Sequence, residues 1–249
     1  MLIRTITEQD SQAGEKTMPP KLFSYCLPFD DGAAPNPFWG QCTLAICKPA
    51  IRRKARIGDW IVGTGSKHSP IGNIAGQVVY AMRVTGKMTM RGYDQFTSSE
   101  LPNKIPQMDH TDRRRWCGDS IYDFSTFPPS LRPSVHQTEE DQKRDVSGRF
   151  VLLSDHFFYF GDQPIALPEA LLGIVKQGQS HRSDENDKYF DDFVRWIDGL
   201  GYPPASLIGK PQWWSKQNAQ ASCSPCATGR QQETEADLAE PDAPCGNPS

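Results

Sequence analysis

Residues Asp59 to Thr85 read D-W-I-V-G-T-G-S-K-H-S-P-I-G-N-I-A-G-Q-V-V-Y-A-M-R-V-T. Their reading decides the fold class. Asp59 to Thr64 predicts a strand, with Trp60, Val62 and Thr64 on one side of the pleat. Gly63, Gly65, Pro70, Gly72 and Gly76 punctuate the connection that follows. Gln77 to Thr85 predicts a second strand, with Val78, Tyr80, Met82 and Val84 on one face. Two strands joined by a Gly-rich loop form a hairpin.

Working outward, Leu22 to Phe29 places Phe23, Tyr25, Leu27 and Phe29 at period two, another strand signature. Asp30 to Asn36 (D-D-G-A-A-P-N) is turn chemistry. Gln41 to Cys47 is a short apolar run that periodicity leaves open as strand or helix. A short helix is expected near Thr89 to Phe96. Phe150 to Phe160 (F-V-L-L-S-D-H-F-F-Y-F) is apolar on both faces in its first half, as a buried central strand would be. Ala166 to Lys176 predicts a helix with Pro168 in its first turn. Asn186 to Leu200 gives the strongest helical pattern. Its stripe of Tyr189, Phe190, Phe193, Trp196, Ile197 and Leu200 reads as core packing. The sum is an α+β domain, a curved sheet or β-barrel with flanking helices.

The expected organisation is a flexible leader over 1–20, one domain over 21–214 and a disordered acidic tail over 215–249. The Pro-interrupted, charged stretch 128–145 reads as a mobile insertion. Net charge is −3 over 249 residues, but from Gln217 onward five acidic residues face Arg230 alone. Charge therefore neither requires nor excludes nucleic acid, and the argument passes to local clusters. No apolar run has the length of a membrane span. Seven cysteines without a secretory signal at the start point to reduced thiols and a cytoplasmic protein.

Five cations fall within nine residues at Lys48, Arg52, Arg53, Lys54 and Arg56. Phosphate neutralisation needs such a cluster, and a solvated basic turn is the bland alternative. Arg113, Arg114 and Arg115 form a second cluster. Near the first stand Phe38, Trp39 and Trp60, whose faces could stack on a base or pack in the core. Gly63 to Ser66 lacks the spacing of a phosphate-binding loop and reads first as a hairpin turn. Asp119 and Tyr122 in C-G-D-S-I-Y, and Asp155 and His156 on an otherwise apolar run, are the general acid–base candidates, with His181. A hydrogen-bonded structural role is the default for each. Cys42 or Cys47 would need His156 or His181 for a Cys–His pair, and inert buried thiols are the simpler account. Cys223 and Cys226 form one C-x-x-C in the tail, too few ligands for structural zinc. Neither metal nor cofactor is expected.

Tyr25 to Ser66 and then V-V-Y-A-M-R-V-T resemble the second type of nucleotide-modification-associated domain. C-G-D-S-I-Y, V-L-L-S-D-H-F-F-Y-F-G and G-Q-S-H-R agree with it, over roughly Leu22 to Gln212. The resemblance implies a link to modified DNA bases in bacteria and phages, and it carries no catalytic residues over. The strand pattern also resembles PUA-like domains (the ASCH, EVE and YTH groups), several of which hold modified or flipped bases in aromatic pockets.

Together these readings set an expectation. The domain binds a free nucleotide, or DNA or RNA containing a modified base. Lys48, Arg52, Arg53 and Lys54 contact phosphate, Trp39 and Trp60 fence the base, and Asn36, Thr64 and Ser66 read its edge. An enzyme acting on a modified base or nucleotide, by base removal or transfer, is the second expectation. A protein-interaction module using the tail is the third. Oligomeric state is not legible.

Overall fold

A computed structural model describes residues 18–216. Most of the expected leader, and the tail from residue 217 with Cys223 and Cys226, lie outside the described residues. Along the chain the strands are β1 (Leu22–Leu27), β2 (Cys42–Leu44), β3 (Trp60–Gly65), β4 (Gln77–Arg83), β5 (Gly86–Thr89), β6 (Tyr122–Asp123), β7 (Ser130–Leu131), β8 (Phe150–Ser154), β9 (His156–Tyr159), β10 (Ile165–Ala166), β11 (His181–Arg182) and β12 (Ser206–Leu207). The α-helices are α1 (Pro49–Lys54), α2 (Met90–Ser99), α3 (Glu139–Ser147), α4 (Phe190–Asp198) and α5 (Gln212–Lys216).

The main sheet runs β11-β1-β3-β4-β9-β12, with β10 also paired to β4. β1 lies parallel to β3, and the β3–β4 hairpin is antiparallel as expected. The path ends at β11 and β12, so the sheet is open and not a closed barrel. A smaller sheet, β2-β8-β5, packs on one of its faces.

Strand alternation sorts the main sheet into two faces. Phe23, Tyr25, Leu27, Ile61, Tyr80, Met82, Phe157 and Tyr159 point one way, onto Leu44 and Leu152 of the small sheet and Ile51 of α1. Leu22, Trp60, Val62, Ala81 and Phe158 point the other way, onto Phe193 and Ile197 of α4 and the 3-10 turn Glu169–Ile174. The far side of the small sheet, Val151 and Leu153, packs against Met90 and Tyr93 of α2. Four layers result, and both faces of the central sheet are buried.

One expected face does not run straight. The β3–β4 register shifts between Gly63 and Thr64, so Val78 joins the opposite face from Tyr80, Met82 and Val84. A Cβ on Gly63 would collide with the Tyr80 ring, so glycine here lets the ring lie across the strand.

The run Phe150 to Phe160 forms two strands instead of one. β8 belongs to the small sheet and β9 to the main sheet. Between them the Ser154 hydroxyl donates to the His156 carbonyl (2.8 Å) and accepts the His156 amide (3.1 Å), turning the chain at exposed Asp155. The segment 166–176 tightens into a 3-10 turn behind Pro168, and the 186–200 pattern splits into the 3-10 turn Asp184–Tyr189 and α4. Its stripe packs into the core as expected: Phe193 and Ile197 are fully buried.

Two other segments carry structure beyond their sequence reading. The basic stretch after Lys48 is helix α1, opened by Pro49 and anchored by buried Ala50 and Ile51. The stretch 128–145 contains β7 and most of α3, whose first turn is capped by the Thr138 side chain accepting from the Asp141 amide. No helix among the described residues is long and apolar enough to cross a membrane.

Candidate functional site

The five residues expected to form a base pocket do not share a surface. Trp60 is 2 % exposed, stacked on Phe158 at 6.4 Å between ring centroids and edge-on to Phe193. Its place on the inward face of β3 makes it core. Thr64 is fully buried, its hydroxyl donating to the Tyr25 carbonyl. The Ser66 hydroxyl accepts the His68 amide in the turn. Trp39 lies under the Arg114 guanidinium, 4.5 Å from ring centre to Cζ.

Asn36 belongs to an interior polar network. Its Nδ2 donates to the Cys117 carbonyl at 2.6 Å, and its Oδ1 accepts from Lys104 Nζ at 2.6 Å. Lys104 is wholly buried and also donates to the carbonyls of Asn36 and Gln41 and to Thr43 Oγ1. The Thr43 hydroxyl passes on to Asp119 Oδ2 at 2.6 Å, and Tyr93 donates to Asp119 Oδ1 at 2.7 Å. Burial pushes the Lys104 ammonium down to about 8, and it raises the Asp119 carboxyl against the pull of Lys104, Thr43 and Tyr93. A buried lysine and aspartate are tolerated because the Lys104 ammonium and both Asp119 oxygens have partners.

The basic cluster divides. Arg52 is fully buried: its Nε donates to the Cys47 carbonyl (2.8 Å), one terminal nitrogen to the Phe150 carbonyl (2.8 Å) and the other to the Asp145 carbonyl. Gly148 makes room for that guanidinium, since a Cβ there would overlap it. Lys48 sits 7 % exposed with Nζ over the Tyr25 ring at 4.6 Å. Arg53, Lys54 and Arg56 instead reach a surface groove of about 460 Å³, where Lys21 and Lys87 join them. Asp59 and Asp184 are the acidic residues of its lining. The first accepts the amides of Lys21 and Arg56, and the second pairs with Lys21 at 2.5 Å.

The acid–base candidates are likewise scattered. His156 packs edge-on to Trp60 and lies 3.3 Å from Asp198. His181 lies on edge strand β11 beside the Phe23 ring. Asp119 belongs to the Lys104 network, and Tyr122 enters a second cluster that sequence reading did not assemble. Its hydroxyl donates to Asp145 Oδ2 at 2.8 Å. The same oxygen lies 2.6 Å from His136 Nδ1, and His136 Nε2 lies 3.6 Å from Cys47 Sγ. Asp145 Oδ1 accepts the Cys47 amide at 2.7 Å. The side chains of His136 and Asp145 are wholly buried, and Cys47 keeps partial exposure. Burial alone would raise Asp145, but His136, Arg52 and Tyr122 hold its carboxyl below the usual range.

Cys47, His136 and Asp145 each offer a donor atom, and these lie within 4.8 Å of one another. The two nitrogens of His136 have different neighbours, Nδ1 facing Asp145 and Nε2 facing Cys47. The hydrogen bonds run in a row from thiol to imidazole to carboxylate, with the carboxylate folded back within 4.8 Å of the thiol, and such a row moves protons.

Sequence reading weighed Cys47 with the wrong histidines because His136 stands in a polar, Pro-bounded stretch. One signal was available there: T-E-E-D at Thr138 to Asp141 is a helix-capping pattern. It announces α3, and Asp145 follows Asp141 by one helical turn on the same buried face.

No curated protein and no solved structure matches this chain. A family model, nucleotide modification associated domain 2, matches residues 19–218. That span takes in every strand and α-helix of the described residues, the cations of the groove and the Cys47–His136–Asp145 row, and the chain belongs to the nucleotide modification associated domain 2 family.

Proposed function

We propose that this domain binds a phosphate-bearing nucleotide, or the backbone of a nucleic acid carrying modified bases, along the groove of Lys21, Arg53, Lys54, Arg56 and Lys87. The observation that carries the reading is the convergence of five cations on one groove with two acids, one of them paired with Lys21, which leaves the lining net positive even with Lys87 bonded to the Arg53 and Ala55 carbonyls. Clustered cations release counterions from phosphates, which makes affinity salt-dependent. Arg53 and Lys54 keep the role their spacing suggested, and Arg56, Lys21 and Lys87 take the place of Lys48 and Arg52. Family membership supports a ligand of the nucleotide class. The PUA-like strand pattern supports a modified base as the part being read.

Fluorescence anisotropy with single- and double-stranded oligonucleotides, with and without modified bases, and with free nucleotides tests this at two salt concentrations. Lys54→Glu and Arg56→Glu should each weaken binding across all sequences and lower the salt slope by about 1. Absence of salt-dependent binding to every probe would overturn the proposal. The enzyme reading is favoured by one separate observation, the Cys47–His136–Asp145 row.

A further inference from the structure

We infer that Cys47 is a catalytic nucleophile, with His136 as its general base and Asp145 as the residue that positions His136, in a site for acyl transfer from an ester, thioester or amide. The inference does not depend on the cationic groove or on the nature of its ligand.

Three observations carry it. First, both nitrogens of the His136 ring are engaged in series: Nε2 towards Cys47 Sγ at 3.6 Å and Nδ1 towards Asp145 Oδ2 at 2.6 Å. A nucleophile within reach of a base, and a base oriented by a buried carboxylate, is the arrangement that activates a weak nucleophile. Apo spacings of this kind are commonly looser than those in a substrate complex.

Second, the backbone at the thiol is held in a conformation side chains avoid. Cys47 has φ 56° and Lys48 φ 44°, two left-handed residues in succession, neither of them glycine. Each costs roughly 1–2 kcal/mol. The fold imposes this from both sides of Cys47: Asp145 takes its amide and Arg52 its carbonyl. Such strain persists where the surroundings over-determine it, and its effect here is to aim the thiol at His136.

Third, exposure is graded along the row. His136 and Asp145 are sealed inside, and the thiol residue alone retains contact with solvent. A purely structural hydrogen-bonded cluster has no need of that gradient.

The row favours acyl chemistry because it can return the proton it takes. The Cys47 thiol proton passes to His136 Nε2 as sulfur bonds to the acyl carbon. The bond from that carbon to the alkoxide, thiolate or amine then breaks, and the leaving group takes the proton from Nε2. Water, losing a proton to His136, attacks the resulting thioester, and the carboxylic acid departs as the thiol is restored. Nothing is oxidised or reduced. Asp145, accepting from Tyr122 as well as His136, stays ionised and steadies the imidazolium formed in each half.

Cys26 supplies an internal reference. It is also partly exposed, has no histidine partner among the described residues, and burial raises its thiol. The full chain is treated with p-nitrophenyl acetate, with phenolate release followed by absorbance and acetylation located by peptide mass spectrometry. Cys47 should acetylate at least about tenfold faster than Cys26, and folded His136→Gln should slow Cys47 by about a hundredfold or more. Cys47→Ser should remove the rapid phase. Cys47 reacting no faster than Cys26 in the unmodified chain would overturn the inference, whether or not the variants fold. So would an unchanged rate in His136→Gln with native near-UV circular dichroism. Stoichiometric metal in the purified protein that is lost in Cys47→Ser would also overturn it, in favour of a metal centre.

Discussion

On the side of the main sheet covered by α4, Trp60 stacks on Phe158 and meets Phe193, and nearly every neighbour is apolar. On the other side, beneath the small sheet and α2, the protein buries Asp30, Lys104, Asp119, His136 and Asp145. The first region is held by area removed from water, which is insensitive to pH and makes no chemistry available. The second keeps ionisable groups in a low-dielectric interior, where each needs its partners. Apolar packing and buried ionisable groups thus lie on different sides of a single sheet.

The contrast can be broken hardest from the apolar side. Trp60→Ala should cost about 3–5 kcal/mol in urea unfolding. In the variant that remains folded, acetylation of Cys47 should continue at its normal rate. Next comes the clamp on the polar side. Arg52→Ala leaves three buried carbonyls without their charged donor and should cost roughly 2–4 kcal/mol. Unlike Trp60→Ala it should also slow Cys47, because it frees the backbone turn that aims the thiol.

A third effect separates the regions by pH. Asp30 is buried and accepts from the Tyr159 hydroxyl at 2.7 Å on each oxygen, and burial raises its carboxyl to about 7. Unfolded aspartate loses its proton near pH 3.9. Between those values the folded state holds a proton that the unfolded state has lost, so this group's stabilising contribution falls as pH rises from about 4 to about 7. Denaturation across that range should show the decline, and Asp30→Asn should flatten it. The smallest expected change in stability is at the groove. Arg56→Glu should move it by no more than about 0.5 kcal/mol while weakening salt-dependent binding.

What the chain showed beforehand, and what it concealed, follows the same division. Strands β1, β3 and β4 and the stripe on α4 were legible because alternation and helical spacing are local patterns of apolar residues. The same patterns placed Trp60 on one side of its strand, but that side is covered by α4, more than a hundred residues later. Arg52 and Arg53 are adjacent cations in the sequence. On α1 they part, one into the interior to bind three carbonyls and one to the groove, because successive helical positions point about 100° apart. Gly63 looked like part of a polar loop, and its real neighbour is the ring of Tyr80 across the hairpin.

By itself the sequence determined the α+β class, the hairpin and the aromatic helix, which rest on spacing within short windows, and the family, which rests on the resemblance of whole residue runs. The tertiary structure alone decided the company that Cys47 keeps. His136 lies 89 residues from it and Asp145 98. A thiol, an imidazole and a carboxylate leave no periodic trace in a sequence. They meet only because β8, α1 and α3 cross at one point, where Arg52 ties the three backbones together.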